Sequence, residues 1–191
     1  MKTDIILIGL PGSGKGSIAK VLLSDKSEYV HLSTGDVFRK HIANQTELGI
    51  EITDIMNAGE FVNDELTIAV VEDFILTNQS MLIIFDGFPR TEKQLEWLID
   101  FSTNDMQREC PKMLHICATE NVCIARINNR AQLEKRSEDS SIEIIRKRLQ
   151  DYRLLTEPVI ASYSLIAEPI AINGDVSIVS CMAEVYDVLK E

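Results

Sequence analysis

The chain has no apolar run that could cross a bilayer. Its N-terminal one, centred on Ile5 to Ile8, is about six residues long against the ~20 a spanning helix needs, and no signal-peptide cleavage pattern follows it. Cysteine is sparse. Cys110, Cys117, Cys123 and Cys181 show no paired C-x-x-C spacing, which excludes a zinc ribbon and a disulfide framework and leads us to expect reduced, mostly buried thiols. Positive charge is also short: 19 Lys and Arg against 30 Asp and Glu give a net charge of −11, which argues against a general nucleic-acid or anionic-membrane surface. His31, His41 and His115 have no carboxylate or cysteine at ligand spacing and are expected to be structural. No Ser-His-Asp or paired-carboxylate hydrolase arrangement, internal repeat, low-complexity tract or flexible linker is visible. These absences leave a soluble, cytoplasmic, monomeric protein of 191 residues: one buried core with room for little more than a small inserted module.

Against that background one segment stands out. Ile5-Ile6-Leu7-Ile8 runs straight into Gly9-Leu10-Pro11-Gly12-Ser13-Gly14-Lys15-Gly16-Ser17, an apolar strand, a glycine-rich turn and the start of a helix. Glycines let successive backbone N–H groups curl around phosphates, the helix start adds partial positive charge, and Lys15 adds a mobile full one. Gly9, Gly14 and Lys15 keep the Walker A spacing, so a nucleoside triphosphate is the expected ligand. Gly16 follows Lys15, so the hydroxyl that helps to hold Mg²⁺ has to come from Ser17.

Further apolar runs at Tyr29 to Leu32, Met81 to Phe85, Met113 to Cys117 and Pro169 to Ile172 alternate with helical segments, the pattern of a parallel sheet covered on both faces. Between the second and third runs, three helical patterns stand where a crossover needs one: Val37 to Asn44, then Leu48 to Met56 closed by Gly59, then Leu66 to Phe74. The excess predicts a small helical insertion. Thr91 and Gln94 form a capping box, and a long amphipathic pattern from Ile142 to Tyr163 is expected to break at Pro158. A last helix is expected over Ser177 to Leu189.

Ligands in open α/β sheets sit at the carboxyl ends of strands, where Asp86-Gly87-Phe88-Pro89-Arg90 follows the third one. Asp86 is placed to orient waters on a nucleotide's Mg²⁺, and Arg90 can fork onto a phosphate as lysine cannot. Taken singly, Asp86 could instead be a helix cap and Arg90 a solvated charge. Ser33-Thr34-Gly35-Asp36 with Arg39 is a second candidate, unless it is only a helix entry. Arg126, Arg130, Arg136, Arg146, Arg148 and Arg153 crowd into 28 residues of this acidic chain. A solvated face accounts for Arg146 and Arg153; phosphoryl transfer, which relies on positioning and cationic stabilisation, accounts for the others.

These motifs, in this order, resemble those of the adenylate kinases, within the nucleoside monophosphate kinases, from the first strand to the last helix. The resemblance implies a P-loop NTPase three-layer α/β sandwich with a five-stranded parallel sheet and helices on both faces. It divides the chain into a core of residues 1–33, 64–126 and 141–191, an insertion at 34–63 that binds the monophosphate, and a short lid at 127–140. It implies that Gly12, Ser13, Gly14, Lys15, Gly16 and Ser17 cradle ATP phosphates while Arg126 and Gly174 meet the ATP adenine. On the acceptor side, Thr34-Gly-Asp-Val-Phe-Arg39, Gly59-Glu-Phe-Val-Asn-Asp64 and Asp86-Gly-Phe-Pro-Arg-Thr-Glu-Lys-Gln94 imply an AMP site. Its parts are Thr34, Arg39, the Val62 carbonyl, Gly87, Arg90 and Gln94. Lys15, Arg90, Arg130, Arg136 and Arg148 are the implied catalytic cations. Mg²⁺ comes with ATP, served through water by Ser17 and Asp86.

Thr34 and Thr91 stand where uridylate-cytidylate kinases carry Ala and Asn, which favours AMP as acceptor. In the lid, Ala131 and Lys135 replace glycines and Glu138-Asp139 replaces Asp-Asp. The expected activity is ATP + AMP = 2 ADP. The alternatives are a broad-specificity, UMP/CMP-type monophosphate kinase and, kept open by this altered lid, a nucleotide sensor with weak catalysis.

Overall fold

The computed structural model describes residues 3–134 and 141–189. Five parallel strands, β1 (Ile5–Ile8), β2 (Tyr29–Ser33), β3 (Leu82–Asp86), β4 (Lys112–Cys117) and β5 (Ile170–Asn173), lie side by side in the order β2-β3-β1-β4-β5. All four residues of β1 are buried, because helices cover both faces of the sheet; the strand therefore reads as an unbroken aliphatic run. The chain moves from β1 out to β2, back to β3, and then to β4 on the other side of β1. This reversal opens a crevice at the carboxyl ends of β1, β3 and β4. The register sets Ser33 beside Asp86 and Asp86 beside Leu7, so the turns after β2, β3 and β1 emerge at one level.

One face of the sheet is sealed by α1 (Lys15–Asp25) and α9 (Ile178–Leu189), through Ile18, Leu22, Met182 and Val185 against Ile5, Leu7 and Ile84. The other is sealed by α4 (Asp64–Thr77), α5 (Glu92–Asp100) and α8 (Glu157–Tyr163), through Val71, Ile75, Leu95, Leu98, Val159 and Tyr163 against Ile6, Ile8 and Phe85. The remaining helices are α2 (Thr34–Ala43), α3 (Glu47–Asn57), α6 (Glu120–Glu134) and α7 (Ile142–Asp151). Most begin on a side chain that caps the first turn: Ser33 for α2, Thr46 for α3, Asn63 for α4, Thr91 for α5 and Ser141 for α7.

The three expected helices between β2 and β3 are α2, α3 and α4. Phe38, Ile52 and Val62 form a core of their own there, apart from the sheet. Two expectations need correction. The helical stretch from residue 142 does not break at Pro158: a π-helical turn at Tyr152–Thr156 interrupts it first, and Pro158 falls in the opening turn of α8, directly after that turn. The thiols are free, but only Cys123 and Cys181 are buried; Cys117, the last residue of β4, is exposed. Among the described residues no helix is long and apolar enough to cross a membrane, and no group of three or more His, Cys, Asp or Glu could hold a metal ion.

Candidate active site

The turn after β1 is built by backbone constraint. Gly12 has φ 85°, and a Cβ there would stand 2.5 Å from the Cys123 carbonyl oxygen, so no other residue lets the turn lie this close to α6. Gly14 caps α1 without a side-chain bond, leaving the first N–H groups of the helix turned toward the crevice. Lys15 Nζ arches over the turn and donates to the carbonyls of Gly9 (2.8 Å) and Leu10 (2.9 Å). Burial draws its pKa down to about 8, against the pull of Asp86. Asp86 is the neighbouring charge that most favours its ammonium, and burial outweighs it. Ser17, one turn into α1, is exposed.

Asp86 ends β3 beside this turn; a Cβ on Gly16 would lie 3.5 Å from its Oδ2. Burial acts to raise the Asp86 pKa, but His31, Lys15 and Arg90 around it outweigh burial and hold it below the usual carboxylate range. His31 thus has a carboxylate neighbour after all, with Nε2 3.5 Å from Asp86 Oδ2. The contact crosses two strands 55 positions apart, so no sequence spacing could show it. His115 also departs from expectation, its Nδ1 lying 3.6 Å from Cys117 Sγ, while His41 is satisfied by Thr46 Oγ1 at 2.9 Å.

The second half of the crevice is organised around Gly87. Its carbonyl accepts Thr34 Oγ1 at 3.0 Å and Arg90 Nε at 2.8 Å. With φ 81°, it leaves no room for a side chain: a Cβ would meet Arg90 Nη2 and Thr34 Oγ1, each at 2.8 Å. Arg90 lies over the Phe61 ring, 4.8 Å from its centroid. Burial, and after it the charge of Arg148, lowers the Arg90 pKa to about 10. The charges of Arg90 and Arg148 are near enough to act on one another, an arrangement that suits a shared anion. Arg39 pairs with Asp36 one turn away. Gln94 is 2% exposed; its Oε1 accepts the Arg90 N–H at 2.8 Å and its Nε2 donates to Asp64 Oδ1 at 2.7 Å. Thr34, Val62, Gly87 and Gln94 line one recess with Phe61.

Both halves open into one cavity of about 570 Å³, ample for a small-molecule site. A family model described as adenylate kinase matches residues 7–167, which include both halves. The chain belongs to the adenylate kinase family. Its activity is that of a nucleoside monophosphate kinase, a phosphotransferase. An adenylate kinase of Deinococcus deserti is 37% identical over 188 residues, covering 96% of this chain and 92% of its own length. Those of Flavobacterium psychrophilum (37% over 172 residues, 90% of each chain) and Mycoplasma mobile (34% over 205 residues, 93% and 94%) are similar over nearly as much.

Lys15, Asp86, Arg90, Arg126, Arg130 and Arg148 all border the cavity. Arg126 Nη1 donates to the carbonyls of Ser13 (3.0 Å) and Gly174 (2.8 Å), tying the turn after β1 to the turn after β5. Arg146 and Arg153 are exposed. Arg136, Lys135, Glu138 and Asp139 lie outside the described residues; Ala131 continues α6. Phe61, Asp64, His31 and Thr156, whose Oγ1 donates to the Arg90 carbonyl at 3.0 Å, belong to the site or its supports and were not singled out by motif reading.

Proposed function

We propose that the chain transfers the terminal phosphoryl group of Mg-ATP to AMP, reversibly, giving two ADP. The observation that carries this is the pairing of two cationic centres across one cavity: Lys15 over the turn after β1, and Arg90 with Arg148 across from it, near enough that both arginine charges are felt at Lys15. ATP phosphates occupy residues 12–17, with the ATP base between Arg126 and Gly174. AMP places its phosphate on Arg39 and Arg90 and its base among Thr34, the Val62 carbonyl, Gly87 and Gln94. An anionic phosphate oxygen is already a nucleophile, so no general base is needed; Lys15, Arg130, Arg148 and Arg136 neutralise the charge on the group in transit.

The residues present fit a hard cation. Asp86 holds a depressed pKa and Ser17 offers an exposed hydroxyl within the same first turn. Both would serve Mg²⁺ through water, and the charge it supplies would shield and orient the ATP phosphate oxygens. On this reading residues 34–63 are the AMP-binding unit and 127–140 the lid of a core of 1–33, 64–126 and 141–191. Four free thiols suit a reducing cytoplasm, and monomeric action is proposed with it.

The test is a coupled assay of ADP formation from Mg-ATP with AMP, CMP, UMP and GMP side by side. Turnover is expected to be confined to AMP. Comparable rates with the other acceptors would make it a general monophosphate kinase, and tight binding of a bisubstrate dinucleotide without turnover would make it a sensor.

A further inference from the structure

A carboxamide is a two-headed reader: turned over, it exchanges its oxygen acceptor for an N–H donor, and neither sterics nor rotamer preference decides which way it faces. Gln94 has that decision made for it. On one side stands the Arg90 backbone N–H, which can only donate and takes Gln94 Oε1 at 2.8 Å. On the other stands Asp64 Oδ1, which can only accept as a carboxylate and takes Gln94 Nε2 at 2.7 Å. Turning the amide over would set N–H against N–H and oxygen against carboxylate at once. With the residue 2% exposed, no water is at hand to repair either clash.

Asp64 is itself held in place. It opens α4 behind the Asn63 cap, and the same Oδ1 accepts Thr91 Oγ1 at 3.0 Å. Thr91 in turn caps α5 by accepting the Gln94 N–H at 3.2 Å. After these bonds, Gln94 keeps one lone pair on Oε1 and one N–H on Nε2 for the recess that it lines with Thr34, Val62 and Gly87.

We propose that Asp64 is a specificity-determining residue: by fixing the Gln94 carboxamide, it presents an acceptor beside a donor to the base edge, which matches a 6-aminopurine monophosphate and opposes a 6-oxopurine one. The inference rests on the reading above that the acceptor base enters this recess. A 6-amino group donates to Oε1 while its neighbouring ring nitrogen accepts from Nε2. A 6-oxo group with a protonated ring nitrogen meets both wrongly. Asp64 reaches the base only through Gln94 and is a positioning residue.

The experiment compares AMP with IMP, which keeps the purine shape and exchanges the edge, at saturating Mg-ATP. Wild-type protein is expected to favour AMP strongly. Asp64→Ala should narrow the AMP-to-IMP ratio of kcat/KM by at least about tenfold, since one charge-assisted restraint on the amide is gone, with KM for ATP unchanged. Asp64→Ser, whose hydroxyl is too short to reach the carboxamide, serves if the alanine variant melts at the assay temperature. Asp64→Asn keeps an oxygen for both bonds and should hold the ratio within about threefold of wild type. A selective wild type whose ratio survives in Ala and Ser, with both acceptors losing rate equally, overturns the proposal alone. A wild type that uses IMP as readily as AMP, or uses neither, overturns the acceptor reading together with it.

Discussion

The two halves of the crevice bind anions by different means. On the donor side, nine consecutive residues from Gly9 to Ser17 supply a turn, a helix start and a lysine, and the work is done mostly by backbone whose path the glycines fix. On the acceptor side, no two neighbouring residues suffice. Thr34 comes from α2, Asp64 from the start of α4, Gly87 and Arg90 from the turn after β3 and Gln94 from α5, joined through side-chain hydrogen bonds, with Phe61 under the Arg90 guanidinium and Arg148 of α7 lining the same recess. The supporting cores differ in the same direction: among the described residues, thirteen buried side chains anchor the sheet face behind α1, onto which the donor turn runs, and three hold the insertion's own cluster. A local backbone device is robust and unspecific, because phosphates are alike; a dispersed side-chain device can be tuned to a base, and opens at lower free energy.

Removing the donor-side charge should give the largest effect. Lys15→Met is expected to lower kcat at least about a thousandfold with every acceptor, in line with the loss of a transition-state cation. The fold should not suffer. Because burial holds the folded pKa near 8, below that of an unfolded lysine at about 10.4, the folded state at pH 7 bears a charge that it disfavours. The variant should therefore melt at or above the wild-type temperature. A large loss of stability would mean that the bonds to the Gly9 and Leu10 carbonyls hold the turn together, and the donor side would then be less self-supporting than its backbone suggests.

The acceptor side breaks differently. Arg90→Ala should reduce kcat/KM for AMP by about 10²–10³-fold, the scale of one lost charged donor, while ATP affinity measured by direct titration stays within about threefold. Arg90→Lys should rescue little, since lysine cannot fork onto a phosphate and donate to the Gly87 carbonyl together. Equal losses for both nucleotides would erase the distinction between the two sides.

How readable each half was from sequence follows from how it is built. The donor turn is contiguous, so strand, glycines and lysine spoke for themselves; the alternating pattern also placed all five strands to within a residue and the three insertion helices in order. On the acceptor side Arg90 and the segment from Ser33 to Arg39 stood out by their place after strands, but the roles of Val62, Gly87 and Gln94 came only by resemblance to a family, because three of the bonds that organise the site join residues 27 to 53 positions apart. Asp64 and Phe61 lay inside a motif whose valine drew the attention, and His31 meets Asp86 only once β2 and β3 pair. The misplaced break at Pro158 has a similar cause. Proline marks where a helix cannot continue, but the first turn of a new helix tolerates it, and a π-helical turn leaves no mark in composition.

The smallest expected effect isolates the scaffold that both halves share. His115 sits on β4 beside Ile8 of β1 and has a pKa depressed by burial, with Glu157 pulling it up and Lys15 pushing it down. An imidazole whose folded pKa lies below the unfolded value of about 6.5 resists a proton that the unfolded chain accepts. Its contribution to stability is therefore complete above pH 6.5 and is lost as pH falls through that value toward the folded pKa. His115→Gln should flatten the pH dependence of the urea midpoint between pH 7.5 and 5.5 by an amount on the order of 0.5 kcal/mol, allowing for its partial exposure. The AMP-to-IMP ratio should not move, because neither Gln94 nor its partners touch this residue in the hydrogen-bond chain that sets it. A variant that altered selectivity while leaving the pH profile as it was would tie the base reader to the sheet itself, and the separation between a fixed donor turn and a tunable acceptor network would have to be redrawn.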